Sequence, residues 1–209
     1  MLALFLVAGA SLVACSGSAD NPRDVLQDLN SQDLVLTIED LPEGIEVSVT
    51  SELPITSNRA AFERFAADTL RRNEDLVGWG RTLGFRREFD NADRLDRAFD
   101  LFISSEAEVY RSEDGASQAF AVERQDHVVG SRLTQVSDLP SLGDESAAFR
   151  LSPKTRTEGE VQTDGYVLVW RRGPVLAFLR ISITGGEIDR SLLVDLGEAA
   201  DGLIANQLA

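Results

Sequence analysis

The stretch that decides the fold is Tyr166-Val-Leu-Val-Trp170, then Arg171-Arg-Gly-Pro174, then Val175-Leu-Ala-Phe-Leu-Arg-Ile-Ser-Ile183. Two apolar runs joined by a short segment with Gly and Pro are typical of a β-hairpin. Because both runs are almost continuously apolar, we expect them to be central strands of a sheet.

Shorter segments on either side of this hairpin also have strand character. Alternation of apolar and polar residues predicts a half-buried strand over 45–50, which Pro54 ends, after a turn at 40–44. Phe85, Arg87 and Phe89 share one side of another strand, and the two phenylalanines mark that side as buried. The remaining predicted strands are 34–38, 101–110, 131–137 and 146–151.

Three segments have helical periodicity. Asn58 can cap a helix from Arg59 to about Leu76, and Ser112 can cap a second from Glu113 to about Gln125. The last runs from about Ile188 to Gln207, where two glycines, at 197 and 202, permit close packing against a sheet. The charged segment 90–100 and the polar segment 152–165 are predicted loops.

The element order is therefore β-β-α-β-β-α-β-β-β-β-α. Short connections favour antiparallel pairing, with the helices covering one face. The sequence predicts an α+β fold in which an antiparallel sheet carries about three helices.

The start of the chain predicts export and lipidation. Residues 1–14 carry no charge and are apolar and then small, which suits a signal peptide and is too short to cross a bilayer. Leu12-Val13-Ala14-Cys15 is similar to the lipobox of bacterial lipoproteins, which implies a thioether-linked diacylglyceryl group on Cys15. Cys15 is the only cysteine, so no intramolecular disulfide can form.

These features predict three regions. Residues 1–14 are the signal peptide, residues 15–32 are the lipidated cysteine and a flexible polar tether, and residues 33–209 are a single domain. The expected location is outside the cytoplasm, held to the membrane by lipid on Cys15, where two or more acyl chains give stable anchoring.

The charge of the chain excludes one class of partner. The formal net charge is −15 and the isoelectric point is near 4.4. Nucleic-acid backbones require clustered Lys and Arg, so we expect no nucleic-acid binding.

Catalytic chemistry has few candidates. His127 is the only histidine, so a Ser-His mechanism would have to use it, and Ser117 in Gly115-Ala-Ser-Gln-Ala119 is the candidate nucleophile. The segment reads better as an ordinary second turn of a helix. We therefore expect no enzyme, with a hydrolase using Ser117 and His127 as the third hypothesis.

Metal and cofactor sites have no matching pattern. A zinc site is excluded because one His remains after lipidation of the cysteine. The acidic stretches at Asp144-Glu145 and 158–164 lack the spacing of a calcium loop. We expect neither a metal nor a cofactor.

A second resemblance covers the C-terminal part of the chain. Leu142-Gly-Asp-Glu-Ser-Ala-Ala-Phe149, Tyr166-Val-Leu-Val-Trp-Arg-Arg-Gly173 and the last helix are similar to bacterial envelope lipoproteins and sensor domains with a PsbP/Mog1-like fold. These include extracellular domains of some actinobacterial receptor kinases. The resemblance implies binding or sensing of a small ligand or another envelope protein. The alternative is a carrier for an apolar ligand in a cavity between sheet and helices, lined by Trp79, Phe89 and Trp170.

Overall fold

The computed structural model describes residues 29–54, 76–91, 100–129, 133–151 and 163–209. Within these ranges the chain forms seven strands and two long helices, which confirms the α+β class. In chain order they are β1 (Ser48–Pro54), β2 (Arg81–Asp90), β3 (Asp100–Tyr110), α1 (Glu113–Val129), β4 (Leu133–Val136), β5 (Glu145–Leu151), β6 (Thr163–Arg172), β7 (Val175–Thr184) and α2 (Arg190–Gln207).

All seven strands belong to one antiparallel sheet with the order β1-β2-β3-β7-β6-β5-β4. The predicted hairpin of β6 and β7 is confirmed, and β7 is the middle strand. Gly173, with a φ of +53°, forms the tight turn between them. The sheet therefore consists of two meanders, β1–β3 and β4–β7, that are joined by the pairing of β3 with β7.

The two helices lie on opposite faces of the sheet, so the prediction that helices cover one face is wrong. Ala116 and Phe120 of α1 cluster with Phe178, whereas Leu193 and Leu196 of α2 belong to the other apolar cluster. Alternate residues of a strand point to opposite faces. Because β6 and β7 are apolar at nearly every position, both of their faces require a cover.

The start of α1 follows the predicted capping, and α2 has a cap that the sequence did not predict. The Gly115 N–H donates to Ser112 Oγ at 3.2 Å, and α1 continues to Val129, beyond the predicted end. Asp189 caps α2 through the Ser191 N–H at 2.9 Å. A Cβ atom at Gly197 would lie 3.1 Å from methyl groups of Leu142 and Leu168, which confirms the predicted close packing there. A Cβ atom at Gly202 would have no neighbour within 4 Å, so the same prediction is wrong for Gly202.

The predicted strand at 34–38 is wrong. Two 3-10 turns, Ser31–Leu34 and Ile38–Asp40, flank an extended, buried piece that pairs with no strand of the described chain. We call residues 34–36 the strap. The Leu36 N–H donates to Ser105 Oγ at 3.1 Å, and the Leu36 carbonyl accepts from Arg87 Nη1 at 2.8 Å. The apolar run therefore lies on the face of the sheet and is bound by side chains.

Several boundaries also shift. β1 begins at Ser48 instead of 45, and β6 takes in residues 163–165 of the predicted polar loop. Leu29 lies within the predicted tether, yet it belongs to the core cluster around α2, so the packed domain begins before residue 33. Residues 59–75 of the helix predicted to reach about Leu76, residues 92–99 of the predicted loop over 90–100, and residues 152–162 lie outside the described residues.

Candidate functional site

Strand β3 places polar side chains on the face of the sheet that α1 covers. Tyr110 belongs to the apolar cluster of α1, so Glu108, Glu106 and Ser104, at alternate positions before it, lie on the same face. All three are buried. Burying a charge costs free energy unless the charge is paired and hydrogen-bonded. Buried residues of this kind are therefore expected to have a structural or a functional role.

Glu108 has a structural role. Arg81 Nη1 donates to Glu108 Oε1 at 2.6 Å, and the Tyr110 hydroxyl donates to Oε2 at 2.9 Å. A register shift between Arg81 and Leu83 sets Arg81 opposite Tyr110, because a β-bulge re-aims a side chain. Gly84 lies opposite Glu108, where a Cβ would stand 2.8 Å from the Ala107 carbonyl oxygen. Both oxygens of the Glu108 carboxylate are therefore hydrogen-bonded within the protein.

Further along the same face lies a patch that we call the charged quadrant. It consists of Arg86 and Glu88 on β2, Ser104 and Glu106 on β3, and Arg180 on β7. Arg86 lies opposite Glu106, while Ser104 lies between Glu88 and Arg180. The two β3 side chains are buried, the two β2 side chains are half-buried and Arg180 is exposed. The patch therefore has a buried polar floor and opens to solvent.

The position of Arg180 is unusual for an arginine. β7 is the middle strand of the sheet, and its neighbours Leu179 and Ile181 are fully buried on the opposite face. Phe178, two residues earlier on the same face, belongs to the α1 cluster. A large polar residue at the centre of a sheet contributes little to the core, and departures of this kind are concentrated at functional sites.

The quadrant offers hydrogen-bonding groups of both signs. It contains two guanidinium groups and two carboxylates, and Arg86 Nε lies 3.3 Å from Glu88 Oε1. A guanidinium presents a planar fork to carboxylates and phosphates, and carboxylates accept from amines and hydroxyls. In the ranges described, no three His, Cys, Asp or Glu residues are grouped so as to hold a metal ion. The arrangement suits recognition of a polar partner.

The three aromatic residues predicted to line a ligand cleft do not come together. Phe89 and Trp170 lie in the cluster around α2, whereas Trp79 packs on the cluster around α1 on the other face. The strand registers put Trp170 in the row that ends at Phe85. Phe89 is four residues further along β2, which corresponds to roughly 13 Å along the strand.

Trp170 instead takes part in what we call the Asp201 cluster, formed by Asp201, Trp170, Arg172 and Gly143. Asp201 Oδ1 accepts from Trp170 Nε1 at 3.1 Å and from Arg172 Nε at 2.8 Å. Asp201 Oδ2 accepts from Arg172 Nη2 at 2.5 Å and from the Gly143 N–H at 3.2 Å. One carboxylate on α2 thus binds the β6–β7 hairpin and the loop before β5.

The electrostatics of this cluster favour the ion pair. Burial alone would raise the pKa of Asp201, but hydrogen bonds from Arg172, the Gly143 N–H and Trp170 hold that pKa below its ordinary value. The same hydrogen bond raises the pKa of Arg172. The carboxylate is saturated by its four donors, so the cluster serves the architecture.

Three of the acids considered for calcium are engaged by the protein, while residues 158–162 lie outside the described residues. Arg171 Nε donates to Glu145 Oε1 at 2.9 Å, and Arg171 Nη1 lies 3.1 Å from Asp144 Oδ2. Asp164 accepts from Arg150 Nε at 3.1 Å and from a backbone N–H at the approach to α2. These contacts hold loops in place and leave the acids with structural roles.

The candidate nucleophile has a partner of its own. The Ser117 hydroxyl donates to Glu145 Oε1 at 3.0 Å, from the second turn of α1. The His127 side chain lies outside the described residues, as does Cys15. No helix in the described ranges is long and apolar enough to cross a membrane.

Sequence reasoning missed the charged quadrant because it treated each strand by itself. The signal is present in two places. Arg180 interrupts the apolar run of β7, and Glu106 and Glu108 alternate with apolar residues in β3. Only the pairing of β3 with β7, which are separated by some 70 residues in the chain, brings these interruptions to one place.

Comparison with known proteins shows a likeness to solved structures only. No family model matches the chain, and no curated protein matches it. Among solved structures, the extracellular domain of PknH from Mycobacterium tuberculosis is similar, with a TM-score of 0.47 and 8% sequence identity over 86% of this chain and 96% of that chain.

Proposed function

We propose that this chain is a non-enzymatic, lipid-anchored protein of the cell envelope that binds a polar partner at the charged quadrant. Residues 1–14 are its signal peptide, Cys15 carries the lipid, and a PsbP/Mog1-like domain is held outside the cytoplasm. The partner is a small ligand or another envelope protein that offers charged or hydrogen-bonding groups.

One observation carries the binding site. Arg180 is exposed in the middle strand of the sheet, with buried Ser104 beside it and Glu106 one row away. Packing alone favours apolar residues at the centre of a sheet, and departures from that pattern are concentrated at functional sites. The exposed guanidinium of Arg180 and the polar groups beside it offer a surface that a charged or hydrogen-bonding partner can bind.

The anchor is supported by the lipobox and by the position of the lone cysteine at its end. Its test is the Cys15→Ser variant in a bacterial host. We expect the native chain in the membrane fraction, with the mass of a lipid-modified Cys15, and the variant outside that fraction or uncleaved. Identical fractionation of the two proteins would refute the anchor.

The non-enzymatic assignment is supported by the shortage of catalytic groups. The chain has one histidine, and the hydroxyl of Ser117 donates to Glu145. Hydrolytic activity of the purified protein that is lost in a His127→Ala variant, and retained after Arg180→Glu, would overturn this assignment in favour of the hydrolase hypothesis.

The binding site is tested by photocrosslinking in the native envelope. A photoreactive residue at position 180 is compared with one at position 124, because Arg124 is an exposed arginine on α1, outside the quadrant. We expect a crosslinked species at position 180 that is missing at position 124. For the Arg180→Glu variant the photoreactive residue is placed at position 182, on the same face of β7. This variant should lose the crosslink, whereas Arg124→Glu should keep it.

Two results would contradict the quadrant as the site. Equal crosslinking at positions 180 and 124 would indicate random collision. A crosslink from the probe at position 182 that persists in the Arg180→Glu variant would show that the charged groups take no part in recognition.

A further inference from the structure

The strap lies at the junction between the proposed membrane anchor and the domain. Residues 16–28 separate Cys15 from Leu29, which is the first described residue and belongs to the core. The strap follows five residues later, with each of its side chains at most 1% exposed. Any pull on the lipid therefore reaches the domain through this segment.

The strap is attached differently from the strands. Its backbone is bound by two side chains of the sheet, Ser105 and Arg87, and Arg87 also pairs with Glu52 at 2.6 Å. A strand of this sheet is held by a ladder of backbone hydrogen bonds along its length. The segment is held by two side-chain hydrogen bonds and by apolar packing on the cluster around α2, so it can leave while the ladder of the sheet stays intact.

The rest of the segment is organised locally. Asp40 accepts from the N–H and the hydroxyl of Thr37, at 2.7 and 2.8 Å, and the Ile45 N–H donates to the Pro42 carbonyl. Gly44, with a φ of +91°, turns the chain toward β1. Residues 29–47 therefore form a contiguous unit with its own short-range contacts, and contiguous units of a domain can open separately from one another.

We propose that residues 29–47 detach as a unit before the sheet unfolds, so that the strap sets the reach of the domain from the membrane. This inference rests on the proposed lipid anchor at Cys15. Release of residues 29–47 would add at most roughly 65 Å to the distance that the chain can span between Cys15 and the sheet.

Hydrogen exchange of the mature chain tests how the strap is held. Ser105→Ala removes the acceptor of the Leu36 N–H, and Ser104→Ala is the matched control, since Ser104 is the adjacent serine on the opposite face of β3. We expect Ser105→Ala to speed exchange at Leu36 by about five- to tenfold, the effect of one lost hydrogen bond. Exchange in β7 should stay unchanged.

Two exchange results would overturn the proposal. One is an equal acceleration in the strap and in β7, which would mean that the strap opens only with the whole sheet. The other is equal acceleration of the strap by Ser104→Ala. If Ser105→Ala does not fold, the native chain in rising denaturant decides: the strap amides should exchange at lower denaturant than those of β7.

Mechanical unfolding provides an independent test. The mature chain is pulled from residue 15 and from the C-terminus. We expect an early step that lengthens the chain by the contour of 19 residues, roughly 65 Å, before the main event. A single event for the whole domain would overturn the proposal. Neither experiment uses the lipid, so a failed anchor and a failed strap are distinguished.

Discussion

The Asp201 cluster and the charged quadrant place charged residues on opposite faces of one sheet, with different surroundings. In the Asp201 cluster, one carboxylate receives four hydrogen bonds and joins a helix, a hairpin and a loop. In the quadrant, Arg180 is exposed, and the charged residues sit on neighbouring strands. Charged residues therefore have different surroundings on the two faces: the Asp201 cluster joins elements of the fold, whereas the quadrant includes a guanidinium that is exposed to solvent.

The largest expected effect is that of Asp201→Asn, which tests whether the Asp201 cluster stabilises the fold. The substitution removes the charge that Arg172 binds, and breaking a pair of this kind costs about 3 kcal/mol of the free energy of unfolding. For a domain of this size that lowers the melting temperature by roughly 6–12 °C. Asp195→Asn, at an exposed position of the same helix, should change it little. Calorimetry measures the melting temperatures of both variants, and equal changes in the two would contradict a structural role for Asp201.

A second prediction concerns the packing beside the Asp201 cluster. Gly197→Val forces atoms into the place where a Cβ already lies 3.1 Å from Leu142 and Leu168. We expect a loss of about 2 kcal/mol in denaturant unfolding, the usual cost of overpacking. Gly202 has no neighbour within 4 Å of a Cβ, so Gly202→Ala should stabilise α2 by about 0.5–1 kcal/mol. Destabilisation by both variants would contradict the close approach at Gly197.

The pH dependence of stability sharpens the same contrast. The folded pKa of Asp201 lies below its unfolded value, so its contribution is complete above the unfolded pKa and is lost as pH falls through the folded pKa. The stability difference between the native chain and Asp201→Asn should therefore shrink below about pH 4. Urea titrations at a series of pH values check this, and a difference that grows toward acid would have the wrong sign.

The smallest effect is expected in the quadrant. Arg180→Ala should change the free energy of unfolding by less than about 0.5 kcal/mol, as an exposed substitution usually does. Its effect should appear instead in the crosslinking of the photoreactive residue at position 182. A loss of 2 kcal/mol or more would move Arg180 into the same class as Asp201 and would remove the argument for a binding face.

The sequence predicted the central hairpin, the cap of α1 and the α+β class, because these depend on residues close together in the chain. Ser112 acts within three residues of its partner. The sequence predicted a strand at the strap because an extended segment that packs on the face of a sheet has the same apolar pattern as a buried strand. Its partners, Ser105 and Arg87, are more than 50 residues away, and no local pattern announces them.

The candidate site was not predictable for a related reason. Trp170 and Phe89 look like lining residues in the sequence, yet the registers set them three strands apart. The quadrant needs the pairing of β3 with β7, which depends on the whole topology. Lipidation of Cys15 is a separate prediction that rests on sequence alone.

The strand order also bears on how the chain comes to be folded. The middle strand of the sheet, β7, is made after the other six, and it alone joins the two meanders. Until residues 175–184 emerge from the ribosome, β3 and β6 each present an unpaired edge, which is a site for wrong association. The pairing of β3 with β7 spans a long loop and is therefore slow to form. A nascent or truncated chain lacking β7 and α2 should need a chaperone to stay soluble.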